Sequence, residues 1–236
     1  MSLALAMVVT IVALIAGASY YYHKWTTNIP KKWTSVSNVK QLFLYPLKSG
    51  RRREVQSMYC TNVGPMILEN NVPLRDRYFI VYGEDSKEFK TARTYPKLIL
   101  IHTSIDDNGD AVFTAPEQEP LVIKFPNPED EPVIITVQRK APAETLDCGD
   151  EAAAWLSRYI LDEPLGIRLG HYSSTFKRNL NLQYPKYFSN YENMRLESAG
   201  IYTDLTSYHL INEASVDAWM VKIWMHSLKK TGTGSK

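Results

Sequence analysis

The sequence predicts a β-rich α+β fold behind an N-terminal transmembrane helix. Three observations predict it: an uncharged apolar run at the start, a series of short strand-like segments set apart by turn residues, and two segments of helical periodicity.

The apolar run extends from Leu3 to Ala18, and the first charge after it is Lys24. As a helix, Ser2 to Tyr22 would span about 30 Å, the thickness of a bilayer core. Tyr20, Tyr21, Tyr22 and Trp25 stand where an aromatic belt belongs, followed by Lys24, Lys31 and Lys32. Positive charge on that flank alone orients the following domain towards the cytosol. Ala16-Gly17-Ala18 also resembles a signal-peptide cleavage site, but no basic n-region precedes it and the chain is poor in cysteine. The expectation is therefore a retained anchor over 1–24 and a polar linker over 25–38.

Short runs of strand character follow: Val39–Tyr45, Tyr78–Gly83, Lys97–Thr103, Ala111–Thr114, Leu121–Phe125 and Val133–Val137. Turn clusters such as Asp106-Asp107-Asn108-Gly109 and Pro126-Asn127-Pro128 separate them. This spacing suggests a mostly antiparallel barrel or sandwich. Asp150 to Ile160 reads as a helix with Ala152, Trp155, Leu156 and Tyr159 on one face and Asp147 or Asp150 as N-cap. Asn212 to Met225 places Val216, Trp219, Met220, Ile223 and Trp224 on one stripe, which predicts a helix packed on a core. The stretch from Tyr172 to Ser198 reads as a long ordered loop, and 229–236 as a disordered tail.

Composition excludes several function classes. The chain has 236 residues, 44% of them hydrophobic and 22% charged, and a net charge of +2, so no broad nucleic-acid-binding face is implied. Cys60 and Cys148 could form one disulfide on paper but not a disulfide framework. The five histidines lie far apart, and no P-loop, G-x-S-x-G, G-x-G-x-x-G or C-x-x-C occurs. Cys148 precedes a helix start, where a thiol pKa is lowered, so it could be read as a nucleophile. A small buried residue at a helix start is the better reading.

What remains is a set of anion-binding residue types beside strand ends. YPLKSGRRR offers Lys48, Ser49 and Arg51–Arg53; PLRDRYFIV offers Arg75 and Arg77; YTDLTSYHLINEAS offers Thr203, Thr206 and Ser207. Lysine supplies a point charge, arginine a bidentate fork, and hydroxyls and backbone N–H groups complete a phosphate cradle. Each stretch alone is also what a solvated turn looks like.

Taken in order, YPLKS, LRDRYFIV, TARTYPKLILI, LDCGDEAAAWLS and YTDLTSYHLINEAS resemble the MOSC-domain family, and within it the branch of mitochondrial amidoxime-reducing components. The resemblance runs from about Val39 to about Trp219. It implies a MOSC N-terminal β-barrel domain over 39–172 and part of a MOSC β-barrel domain over 173–228. It implies a molybdenum–pterin cofactor (Mo-molybdopterin), with Lys48 and Ser49 matching the family's Lys-Ser pair and Arg77 its second arginine. Thr206 and Ser207 fall near the family's Asp-Thr-Ser stretch, with Leu205 where a hydroxyl is usual. Gly50 replaces a cysteine, an exchange expected to be tolerated.

The implied activity is reduction of small N-hydroxylated compounds, with electrons from NADH through a flavin reductase and a b-type haem protein. The implied location is the outer mitochondrial membrane, facing the cytosol. A pyridoxal-phosphate role belongs to the wider family, but no sequence context marks a Schiff-base lysine here. The family also uses a late cysteine as molybdenum ligand, and no cysteine follows Cys148 in these 236 residues. The expectation is thus an oxidoreductase in incomplete form, or a membrane-anchored binding module without redox chemistry.

Overall fold

The computed structural model describes residues 3–27, 34–172, 178–179, 185–188, 199–220 and 222. Two antiparallel meanders and a four-stranded sheet are built from strands of three to six residues. β1 (Leu42–Leu44) pairs with β2 (Arg53–Val55), and the loop between them carries Lys48 and Ser49. β3 (Tyr59–Thr61), β4 (Gly64–Glu69) and β5 (Val72–Arg75) form the first meander. Its second turn is Asn70-Asn71, both at positive φ (50° and 64°), the conformation a two-residue hairpin requires. β7 (His102–Ile105), β8 (Ala111–Thr114) and β9 (Leu121–Ile123) form the second meander.

The central sheet has the order β10 (Val133–Thr136), β11 (Pro142–Asp147), β12 (Ile167–His171), β6 (Phe79–Gly83), all antiparallel. β6 is buried along its whole length. Its alternate residues feed different cores: Phe79 and Val81 pack with Leu44, Phe113 and Leu156, whereas Ile80 and Tyr82 pack with Ile135, Val137 and Tyr202. A strand covered on both faces must be apolar at every position, which is why FIVYG shows no alternation. Gly170 on β12 lies so close to β11 that a Cβ there would run into the Thr145 side chain, whose hydroxyl donates to the His171 carbonyl at 3.1 Å.

The helix α2 (Asp150–Leu161) joins β11 to β12 and buries Ala152, Trp155, Leu156, Tyr159 and Ile160 in the first core. The Trp155 indole donates to the Glu119 carbonyl at 2.7 Å. The residue at the N-cap is Gly149 (φ 91°), not either aspartate. Asp147 instead accepts the Gly149 N–H at 2.8 Å. The Asp147 carboxylate also takes a two-pronged grip from Arg168, both bonds at 2.7 Å, and the Tyr82 hydroxyl. Arg168 continues to Asp150 at 2.9 Å and Glu84 at 3.1 Å. One guanidinium thereby ties β12, the α2 start and the end of β6 together. Arg168→Met should cost about 2 kcal/mol, less than the ~3–5 for breaking a fully buried pair because Asp150 is solvated. Urea denaturation measures this, and a loss under about 0.5 kcal/mol would mean a pair dispersed in solvent.

Several expectations need correction. An N-terminal helix does form, α1 (Leu3–Thr27), but among the described residues no helix is long and apolar enough to cross a membrane. Composition is the reason. The run from Leu3 to Ala18 rises only about 24 Å at 1.5 Å per residue, short of a ~30 Å hydrocarbon layer. Ser19, three tyrosines, His23, Lys24, Trp25 and two threonines fill the remainder. The described residues thus do not provide the transmembrane helix of the expected fold class or a membrane contact through it.

Lys97–Thr103 is not one strand. Pro96 opens a short 3-10 helix (Pro96–Leu100), and β7 begins only at His102. Residues 213–220 are helical as expected, but Val216, Trp219 and Met220 are exposed rather than packed on a core. Ile223, Trp224, the 229–236 tail and most of the stretch from Tyr172 to Ser198 lie outside the described residues. Within that stretch one helical turn, Pro185–Phe188, is formed, and β13 (Arg178–Asn179) pairs with β14 (Ala199–Gly200) just beyond its end.

Candidate functional site

Two loops are zipped together where β1 ends and β6 begins. The Lys48 N–H donates to the Phe79 carbonyl at 2.8 Å, the Phe79 N–H to Pro46 at 2.9 Å and the Arg77 N–H to Tyr45 at 2.6 Å. Ser49 and Arg77 both sit in the left-handed region, at φ 66° and 52°. The turn closes with the Gly50 N–H on the Leu47 carbonyl at 2.9 Å, and a Cβ at Gly50 would stand 2.7 Å from the Leu47 Cβ. A side chain at 50 would thus force Leu47, a fully buried core residue, to move.

Asp76, between the two arginines of LRDR, is the keystone of this junction. It is 3% exposed. One carboxylate oxygen accepts the Tyr45 N–H at 2.8 Å and the other pairs with the Arg77 guanidinium, which also lies over the Tyr45 ring. Burial pushes the Asp76 carboxyl above its usual range. Arg77, the Tyr45 N–H and the nearby Lys48 charge oppose that shift. Arg75 diverges from this group and reaches the Thr61 hydroxyl at 3.5 Å.

Lys48 is buried at 5% exposure. Its ammonium donates to the Tyr202 carbonyl at 2.8 Å and to Asp204 at 2.5 Å, and lies 5.4 Å from the Phe89 ring centre. The segment from Tyr202 to Tyr208 therefore closes over the β1–β2 loop. Both its ends are fixed. Tyr202 is buried and its hydroxyl donates to the Glu144 carbonyl at 3.0 Å. The Tyr208 hydroxyl donates to the Thr61 carbonyl at 2.9 Å and accepts the Thr61 N–H at 2.7 Å, covering the free edge of β3.

Lys48, Ser49 and Arg77 thus come together, with Asp76 between the two cations. The segment bearing Thr206 and Ser207 reaches the same place, but its contacts with Lys48 are made by Asp204 and a backbone carbonyl. The Thr206 hydroxyl donates to the Tyr208 carbonyl at 2.8 Å and is exposed, while Ser207 faces Gly64 on β4. Asp76, Asp204 and Tyr208 are site residues that residue type alone did not single out. The one available signal for Asp76 is its place three residues before an unbroken apolar strand.

Cys60 and Cys148 are both free, so no disulfide joins them. Burial and the Asp147 charge push the Cys148 thiol up, the opposite of what a nucleophile needs. Among the described residues, no group of three or more His, Cys, Asp or Glu side chains could hold a metal ion.

Residues 36–163 match the MOSC N-terminal beta barrel domain. Among the similar proteins is mitochondrial amidoxime reducing component 2 of Rattus norvegicus, 30% identical over 184 residues, covering 77% of this chain and 50% of the relative. Mitochondrial amidoxime-reducing component 1 of Danio rerio is 33% identical over 149 residues, covering 62% and 43%. Component 1 of Homo sapiens is 28% identical over 212 residues, covering 89% and 58%. The chain spans about half the length of the curated relatives it matches. The domain match takes in more than half of the chain, from the approach to β1 through the end of α2, and on that ground this chain belongs to the MOSC N-terminal beta barrel family.

Proposed function

We propose that this chain is a molybdenum-cofactor oxidoreductase of the amidoxime-reducing type, acting in mitochondria on small N-hydroxylated compounds. The relatives' names supply the reaction class and the compartment. The observation that carries the reading to particular residues is a buried lysine whose ammonium is turned onto an anion, Asp204, one loop away from Arg77.

That donor set suits the phosphate-bearing end of a pterin cofactor. Lys48 supplies a desolvated point charge, Arg77 a planar fork held in place by Asp76, and Ser49 a hydroxyl and an N–H in a left-handed turn. Thr206 and Ser207 lie on the same segment as Asp204. These residues would bind and orient the group, and the Tyr202–Tyr208 segment would exclude water from Lys48. The bound group would supply two-electron chemistry, converting an N–OH to an N–H with release of the oxygen as water. Electrons would come from NADH through a flavin reductase and a b-type haem protein. No described residue is assigned as metal ligand.

The test is to express the chain in cells that synthesise the cofactor, then measure molybdenum and oxidised-pterin fluorescence in the purified protein, with an NADH-coupled amidoxime assay alongside. Lys48→Ala and Arg77→Ala should each lower the retained pterin at least tenfold, the effect of losing one charge-assisted contact of about 1.5–3 kcal/mol. Folded protein lacking both molybdenum and pterin would end the reading. Pterin bound without turnover would leave a binding module.

A further inference from the structure

We propose that Asp204 is a removable counter-ion: it occupies the Lys48 ammonium in place of a ligand phosphate and swings away when phosphate binds. The inference rests on the reading of Lys48 as an anion-binding residue and concerns how that site is kept when no anion is present.

The first argument is charge. Lys48 and Arg77 bring two positive charges to the junction, and Asp76 and Asp204 bring two negative ones. A buried ammonium without a partner is costly, so a lysine at 7% side-chain exposure needs a carboxylate or an external anion. With both carboxylates in place these four charges cancel, and an arriving phosphate would gain little from them. One carboxylate must leave for the anion to gain from Lys48.

The two carboxylates are not equally able to leave. Asp76 is 3% exposed and bonds to the Tyr45 N–H as well as to Arg77, so its departure would strip the β1 loop of a backbone partner. Asp204 is 51% exposed and, among the described residues, its only hydrogen bond is to Lys48. Rotation about its own side-chain bonds carries it into water. The backbone on either side stays where Tyr202 and Tyr208 hold it, and Lys48 keeps the Tyr202 carbonyl and the Phe89 ring throughout. A phosphate carries more charge and more acceptor oxygens than the carboxylate it replaces, so exchange favours the phosphate at sufficient concentration.

The experiment is calorimetric titration of the cofactor-free full chain with inorganic pyrophosphate at fixed ionic strength. The expected result is that Asp204→Asn binds pyrophosphate at least tenfold more tightly than wild type, and that adding Lys48→Met to it removes the gain. If Lys48→Met weakens binding while Asp204→Asn leaves it unchanged or weaker, the counter-ion proposal fails and the anion site stands. If wild type, Lys48→Met and Asp204→Asn all bind alike, or none binds, the anion-site reading fails with it. Circular dichroism checks folding, with Asp204→Ser as a second variant. Loss of the fold in both would show a structural ion pair and overturn the proposal.

Discussion

Asp76→Ala is expected to destabilise the protein by about 3–5 kcal/mol, the range for removing one member of a buried, hydrogen-bonded charge pair. Three losses combine. The Tyr45 N–H is left without its acceptor, Arg77 loses its counter-charge, and removing a side chain at 3% exposure leaves a small void. Asp76→Asn should cost far less, about 1 kcal/mol, the worth of an ordinary hydrogen bond. The amide oxygen can still accept from Tyr45, half-buried Arg77 can be solvated, and the charge that burial disfavours is gone. Denaturant melts of the two variants test this order. Equal losses for Ala and Asn would mean that charge pairing, and not the bond to the loop, holds the junction.

The parts of the fold legible in the sequence were those whose burial is complete or regular. β6 reads as a strand because five successive apolar residues serve two cores, and α2 because its buried face repeats at helical spacing. β8 matches its expected bounds because DNG closes the turn before it. The first meander was harder to see. Asn70-Asn71 is a turn signal, but Glu69, Pro73 and Arg75 interrupt the apolar pattern on either side. Three residues at a time, β1 to β3 are too short to show a period.

The site divides in the same way. Lys48 and Arg77 were legible as chemistry: cationic residues in turns beside strand ends. Asp76 was not, because an aspartate between two arginines reads as a solvated turn until the Tyr45 N–H, 31 positions earlier, is placed over it. Thr206 stands out in the sequence by its hydroxyl, yet Asp204 is the residue on Lys48. Which side chain of a loop turns inward is decided by what the rest of the chain presents to it. A buried ammonium selects a carboxylate ahead of a hydroxyl.

Acid should weaken this protein in part through the imidazole of His171. His171 ends β12 at 6% exposure, its ring 4.3 Å from that of Tyr78 and 5.2 and 5.1 Å from those of Phe79 and Phe125. Neither ring nitrogen has a hydrogen-bond partner among the described residues. Burial pushes its pKa down to about 4. Since the unfolded imidazole titrates near 6.5, the unfolded chain binds the proton first as pH falls. Stability from the neutral, buried ring is therefore complete above about pH 6.5 and declines as pH falls through the interval down to 4. The loss over that window is about 3 kcal/mol at 1.36 kcal/mol per pKa unit. His171→Phe fills the same aromatic setting with nothing to protonate. It should match or exceed wild-type stability at pH 7.5, where it also removes two unsatisfied nitrogens. By pH 4.5 it should exceed wild type by a further ~2–3 kcal/mol. Parallel pH–stability curves for the two proteins would show that the histidine is hydrated in solution and that the acid limb belongs to the carboxylates.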